Sequence, residues 1–333
     1  VVGATGVLGR EILARLSDAG DELQEEVLGG DVPSLFATGQ SAGEAFPWIE
    51  DEELGVEPWS PESARGLDVA LVAVPPAATP PIVERLRELG VVAIDASPVF
   101  RATAPLFFEE QARPSPLTAT TLLSLPSPES LALARILSAW VKFVPSSLDV
   151  TVLKAVAGSG QAGINDLGEA TGRLLNGQEP DNPLHGHRIA FNLIPQVGAF
   201  RGAECEAEAD LGRDLGRLLG QALPTAATCA WGPWFYGDFL SGTVSFESDV
   251  SLADLRVALN GRAQLKLLDD PASAVYPMPA LATGDDATLV GRLRVHSSSR
   301  RRIGFVAAFD GARSVAANAI AALGAVARAR RTH

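Results

Sequence analysis

Residues 1–13 read Val1-Val2-Gly3-Ala4-Thr5-Gly6-Val7-Leu8-Gly9-Arg10-Glu11-Ile12-Leu13, "VVGATGVLGREIL". An apolar strand end runs through three glycines into a helical pattern. Leu8, Ile12 and Leu16 fall at steps of four, which predicts a helix over 7–18. A glycine turn between a strand and a helix aims free N–H groups at whatever sits above the helix start, and a dinucleotide pyrophosphate is the usual occupant. The spacing is G-x-x-G-x-x-G instead of the commoner G-x-G-x-x-G. A turn that merely packs helix on strand satisfies the same pattern, so both readings stand at this point.

Outward from this turn, short apolar runs alternate with helical stretches. "SLFAT" at 34–38, "DVALVAV" at 68–74 and "VVAID" at 91–95 read as strands, with a helix over 80–89. "LSLPSPESLAL", Leu123–Leu133, predicts a strand, a turn and a helix with Ser127 as N-cap and Pro128 at the first helical position. Leu133, Ile136, Leu137 and Trp140 then form one apolar face. Such alternation implies a parallel, doubly wound α/β sheet.

From about Asp149 the texture changes. "VTVLKAVAGSG", "RIAFNLIP", "TAATCAWGPWF", "SGTVSFES" and "RIGFVAAF" read as strands, with helices near 163–175, 204–221 and 251–260. An α+β domain is expected over 126–310, and a Rossmann-like domain over 1–125 joined by the Ala-rich C-terminal helix within 311–333. The chain opens without Met, mid-strand, so a few residues are expected upstream.

The 333 residues carry 40 acidic and 27 basic side chains, a formal charge of −13, which argues against nucleic acid and anionic membrane as partners. Only two cysteines, Cys205 and Cys229, are present, so no disulfide framework is expected and a cytoplasmic location is the default. No apolar run approaches the roughly 20 residues needed to span a bilayer.

Several of these stretches, with "SPVFR" (97–101), "IAFNLIPQVG" (189–198), "PWFYGD" (233–238), "VYPMPALATG" (275–284), "LVGRLR" (289–294) and "GARSVAANAIAAL" (311–323), resemble segments of the aspartate-semialdehyde dehydrogenases in the same order. The likeness spans nearly the whole chain. It implies an N-terminal Rossmann-like domain that binds NADP or NAD, and an α+β domain that supplies catalytic residues and a homodimer interface. The cofactor set it implies is Gly3, Thr5, Gly6, Val7, Leu8, Gly9, Ser41 and Asn318. Family chemistry runs through a cysteine thiolate, which adds to the substrate carbonyl, and a histidine that shuttles protons.

Here the family motif Asn-Pro-Asn-Cys-Ser-Thr is Leu125-Pro126-Ser127-Pro128-Glu129-Ser130, so proline stands at the nucleophile position. Asp238 falls at the acid–base histidine, and Trp231 at the arginine that pairs with the substrate carboxylate. Asp210 stands near a phosphate-binding lysine, Gln40 replaces the NADP-recognising arginine, and Pro75-Pro76 replace the second glycine loop. Arg101 matches the anion-binding arginine and Glu208 a substrate-contacting glutamate. These departures resemble the USG-1-like subgroup. The expectation is a homodimeric homologue with no intact catalytic residues, taking at most a small-molecule ligand; the alternative is an NAD(P)-dependent oxidoreductase that acts on an amino-acid-derived aldehyde or acyl phosphate without a covalent cysteine.

Neither remaining cysteine is a good substitute nucleophile: Cys205 lies among acids and Cys229 inside an apolar strand. His185 and His187 in "LHGHR" read as a surface loop and no metal is expected. Trp231 and Trp234 either stack a ring ligand or fill space left by lost polar groups.

Overall fold

The computed structural model describes residues 1–19, 25, 27–29, 31–38, 41–48, 52–110, 121–180, 183–297 and 299–331. The chain divides into two compact units, Val1–Ser127 with Val315–His333, and Pro128–Ser314.

In the first unit, Val2 bridges Phe36 and Val72 in parallel and joins two three-stranded sheets. One is β1 (Leu35–Ala37), β3 (Glu53–Pro58) and β2 (Ala45–Pro47), in the order β1-β3-β2. The other is β4 (Val69–Val72), β5 (Val92–Asp95) and β6 (Leu122–Ser124), all parallel. β1, β4 and the Val92–Ile94 part of β5 are apolar on both faces, as a covered parallel sheet requires. Helix α1 (Val7–Asp18) buries Gly9, Ile12, Leu13 and Leu16, and α2 (Thr79–Glu88) buries Ile82, Val83 and Leu86. The C-terminal helix, Gly311–Arg331, places Val315, Ala319, Ile320, Leu323 and Val326 in the same core as Ile12, Leu71, Ile94 and Leu125. β2 and β3 were not anticipated from the sequence; they are short, and only Phe46, Leu54 and Val56 turn toward the core between exposed residues.

The second unit is built on a six-stranded sheet, β10-β7-β11-β14-β13-β12. Its strands are β7 (Pro145–Lys154), β10 (Thr225–Trp231), β11 (Asp238–Phe246), β12 (Leu265–Leu267), β13 (Thr288–His296) and β14 (Ser299–Phe309). A small hairpin, β8 (Phe200–Arg201) with β9 (Glu204–Cys205), precedes a helix. The central pairs are antiparallel and the outer pairs, β10–β7 and β12–β13, are parallel.

"RIAFNLIP" is not the strand its apolar content suggested. Only Ile194 pairs, with Trp231, while Phe191 sits at φ 57 and breaks the extended run. β7 starts earlier than expected, at Pro145, and gives way to a 3-10 turn over Val156–Ser159.

Helix α3 (Pro128–Trp140) also differs from its sequence pattern. It is buried on every side, with Ala132, Ala134 and Arg135 as inaccessible as Leu133 and Ile136. It packs against α5 (Glu206–Leu219), α6 (Leu252–Leu259) and the sheet, and its small alanines permit close neighbours. Trp140 closes this core, edge-on to Phe305 at 5.6 Å and Phe246 at 6.2 Å, with Nε1 donating to the Leu255 carbonyl at 3.2 Å. Trp140→Ala is expected to lower unfolding free energy by about 3–5 kcal/mol in a urea titration.

Candidate functional site

Pro128 opens α3, where a missing N–H leaves nothing unsatisfied. Glu129 follows in the first turn, yet its carboxylate is not presented to solvent. It accepts a 2.5 Å bond from Lys154 Nζ, and both side chains are buried. Lys154 ends β7 on the same parity as the core residues Leu148, Val150 and Val152. Burial alone would pull its pKa down, but Glu129 and Asp238 outweigh this and keep the ammonium charged.

Asp238 begins β11, the neighbour of β7, on the parity of Leu240 and Val244. The Ala155 N–H donates to its Oδ1 at 2.7 Å. Burial pushes its carboxyl up to about 6, against the opposing pull of Lys154. A Cβ added at Gly311 would lie 2.9 Å from Asp238 Oδ2 and 3.2 Å from Pro128 Cβ. Pro128 and Asp238 therefore converge on the start of the C-terminal helix.

Trp231, 7% exposed, pairs in register with Lys154. The His185 ring stacks on its indole at 4.9 Å, and a Cβ on Gly158 would sit 3.0 Å from it. Trp234 is tied back to the Gly237 carbonyl through Nε1 at 2.7 Å. Cys229, two residues before Trp231, is inaccessible, and burial, reinforced by the Glu129 charge, pushes its thiol up, away from the thiolate.

The other positions are committed elsewhere. Glu208 accepts from the Cys205 N–H at 2.8 Å and the Cys229 N–H at 2.9 Å, a capping box tied to a neighbouring strand. Burial opposes its ionisation, but these two N–H donors outweigh it and hold its pKa below the usual range. Asp210 pairs with Arg213 at 2.7 Å and Arg201 at 3.3 Å. In the first unit, Arg101 donates to the carbonyls of Leu125 at 2.9 Å and Ala96 at 3.3 Å. Asn318 is buried and spans Phe107 O and Glu109 N through both amide atoms.

The glycine loop separates into packing and open positions. A Cβ at Gly3 (φ 92) would meet the Ala73 carbonyl at 2.3 Å, and one at Gly9 would meet Gly3 O at 2.1 Å. Gly6 is different: its nearest atom would be 3.5 Å away, and it caps α1 without a side-chain bond. The N–H groups of the first turn, at Val7, Leu8 and Gly9, have no acceptor within the helix. That is a cradle open to an anion, built from Val7, Leu8 and Gly9, beside Gly6, whose own N–H is held by the Gly3 carbonyl at 3.2 Å. Ser41 is half-buried beyond β1, while Gln40 lies outside the described residues. Pro75 and Pro76 lead into a 3-10 turn capped by Thr79 Oγ1 on the Pro75 carbonyl.

Two family models match the chain: the semialdehyde dehydrogenase NAD binding domain over 1–135 and the semialdehyde dehydrogenase dimerisation domain over 133–313. The chain belongs to the semialdehyde dehydrogenase family. Aspartate-semialdehyde dehydrogenase of Bacillus subtilis is 28% identical over 307 residues, covering 88% of this chain and 86% of the relative. A USG-1 protein homolog of Pseudomonas aeruginosa is 28% identical over 324 residues, covering 95% and 93%. Among solved structures, a probable aspartate-semialdehyde dehydrogenase from Pseudomonas aeruginosa superposes with a TM-score of 0.83 at 26% identity, over 98% of this chain and 96% of that one. Among the described residues, none of this member's helices is long and apolar enough to cross a membrane.

Sequence reasoning named Pro128 and Asp238 but passed over Lys154. The signal was available: a lysine on the core parity of an alternating strand demands a buried anion. Removing one partner of such a pair is expected to destabilise by about 3–5 kcal/mol, so Lys154→Met should do so while the double variant Lys154→Met/Glu129→Leu recovers most of the loss on chemical denaturation. Asp238, with its folded pKa raised, binds its proton more tightly when folded; its contribution is therefore full below the unfolded pKa and is lost as pH rises from about 4 to about 6. Asp238→Asn should stabilise at pH 8, with the gain vanishing below about pH 4 in parallel denaturation curves.

Proposed function

We propose that this chain is a member of the semialdehyde dehydrogenase family that does not catalyse the family's dehydrogenase reaction, a cytoplasmic homodimer that keeps the pyrophosphate cradle and has lost thiol chemistry at the start of α3. The observation that carries this reading is the start of α3. Pro128 has neither a nucleophilic atom nor an N–H to donate, and its ring lies beside Gly311, which Asp238 also borders.

No second thiol stands in for it. Cys229 is buried with its thiol pushed up, and Cys205 is buried at the head of α5. The charge is also wrong for an acidic substrate. Glu129, Asp238 and Asp310 act on the same spot, and Lys154 is already held by Glu129. Trp231 offers no bidentate contact to a carboxylate. The match to the dimerisation model over 133–313 supports a homodimer.

In the first unit, the N–H groups of Val7, Leu8 and Gly9 suit a dinucleotide pyrophosphate, with Gly6 leaving room for close approach. Bound NAD(P) would supply hydride-transfer capacity; the chain's own contribution is the cradle. With its nucleophile absent, an enzyme of this class should run on the order of 10⁶-fold below an intact one. Purified protein given aspartate semialdehyde, phosphate and NADP is expected to show no reduction of the nucleotide above the uncatalysed rate. Turnover at an ordinary rate, about 1–10³ s⁻¹, would end this reading.

One observation favours a second reading. A carboxyl at about 6 beside an ammonium can serve as a general acid for direct hydride transfer to a carbonyl, without a thiol. It requires aldehyde-dependent NAD(P)H oxidation that falls as pH rises through about 6 and disappears in Asp238→Asn.

A further inference from the structure

The 3-10 turn Val156–Ser159 after β7 leads directly into helix α4 (Gly160–Leu175). Ser159 occupies the N-cap of α4, where a serine ordinarily bonds to the helix's own N–H groups, yet its side chain makes no capping bond. Its Oγ lies 3.4 Å from His185 Nε2 instead. The imidazole is fixed by its stack on Trp231, and the same indole packs against Gly158, the residue before Ser159. One wall thus sets both partners. Asp166, one helical stretch beyond Ser159 on α4, acts electrostatically on His185, and its Oδ2 is buried without a hydrogen-bond partner among the described residues.

We propose that Ser159 and His185 form a nucleophile–base pair for acyl transfer, positioned by Trp231 and influenced electrostatically by Asp166, that hydrolyses small carboxylic esters. The arrangement has the recurring parts of such a site: a serine on a tight turn between strand and helix, a histidine within reach, and a carboxylate near the histidine. The chain order is serine, acid, histidine. Burial lowers the His185 pKa, partly offset by Asp166, so the ring is neutral near pH 7 and available as a base. Beyond Gly160, whose N–H is held by the Ala157 carbonyl, the N–H groups of the first turn of α4 receive no bond from the serine side chain and suit the developing oxyanion.

The step balances without a redox partner. Ser159 Oγ adds to the ester carbonyl carbon as its proton passes to His185 Nε2. The carbon–oxygen bond to the alcohol breaks and the alcohol takes that proton. Water, deprotonated by the same ring, then releases the acid and restores the serine. A shallow groove of about 260 Å³ beside Asp166, lined also by Ala162, Glu169, Ala170, Pro180 and Leu184, gives the ester a place to lie. Its two carboxylates favour a neutral or cationic ester over an anionic one.

The test is labelling of the full chain with a fluorophosphonate, followed by peptide mass spectrometry, beside hydrolysis of p-nitrophenyl acetate. The expected result is one adduct, on Ser159, lost in Ser159→Ala and slowed at least about 10²-fold in His185→Gln. Hydrolysis should rise with pH as His185 deprotonates. In Asp166→Asn that rise should move to lower pH, because the removed charge raises the ring's pKa. Circular dichroism and thermal melting at wild-type values separate loss of chemistry from loss of fold. No adduct on Ser159 in folded protein, labelling confined to other residues, or hydrolysis unchanged in Ser159→Ala would each overturn the proposal. None of these results bears on the Pro128 site, whose readout is nucleotide reduction.

Discussion

A helix buried on every side constrains the second unit. α3 carries Arg135 and Glu129 into regions without solvent, so each charge must be matched inside the protein. Glu129 is matched by Lys154, and neither can be explained alone: the lysine sits on the core side of β7 because the glutamate is there, and the glutamate is tolerated because the lysine is. The pair fixes α3 against the end of β7. That end is where β10 contributes Trp231 and β11 contributes Asp238, so three adjacent strands terminate around one ion pair.

This geometry places strict limits on chemistry. A reactive group at the start of α3 would need an exposed nucleophile, a nearby proton acceptor and cationic groups for an acidic substrate. The fold still brings the first two positions together, since Pro128 and Asp238 both border Gly311. The occupants no longer suit the task. The lysine that could have met an anion is held by an internal one, and the nearby acid is half-way to being neutral at mildly acidic pH.

Much of the fold was legible in the sequence because its signals are local. The glycine turn, the apolar parallel strands, the helix over 7–18 and the helix read near 163–175, which begins one turn earlier at Gly160, follow from periodicity and turn chemistry. Features set by distant partners were harder to read. β2 and β3 offer only a short alternation through Phe46, Leu54 and Val56, and "RIAFNLIP" is apolar without being a strand because Phe191 takes a positive φ and only Ile194 pairs. α3 looked one-faced, since alanines do not register as core until their neighbours are known. At the candidate site, Pro128 and Asp238 were legible through family likeness. The Lys154–Glu129 pair and the Ser159–His185 approach bring together residues 25 and 26 positions apart, a separation that no local pattern encodes.

The joint occupation of these positions also has a physical logic. Proline at the head of α3 brings a bulky ring beside the first residue of the C-terminal helix, and glycine is the residue that fits there. An aspartate is shorter than a histidine and can retreat onto the Ala155 N–H, leaving room for that ring. Its charge in turn is eased by Lys154, which lies close enough to oppose the effect of burial. Restoring only a cysteine at 128 would therefore leave a thiol beside two carboxylates, and nearby negative charge raises a thiol's pKa. The site departs from thiol chemistry as a packed and electrostatic whole, and no single substitution reverses it.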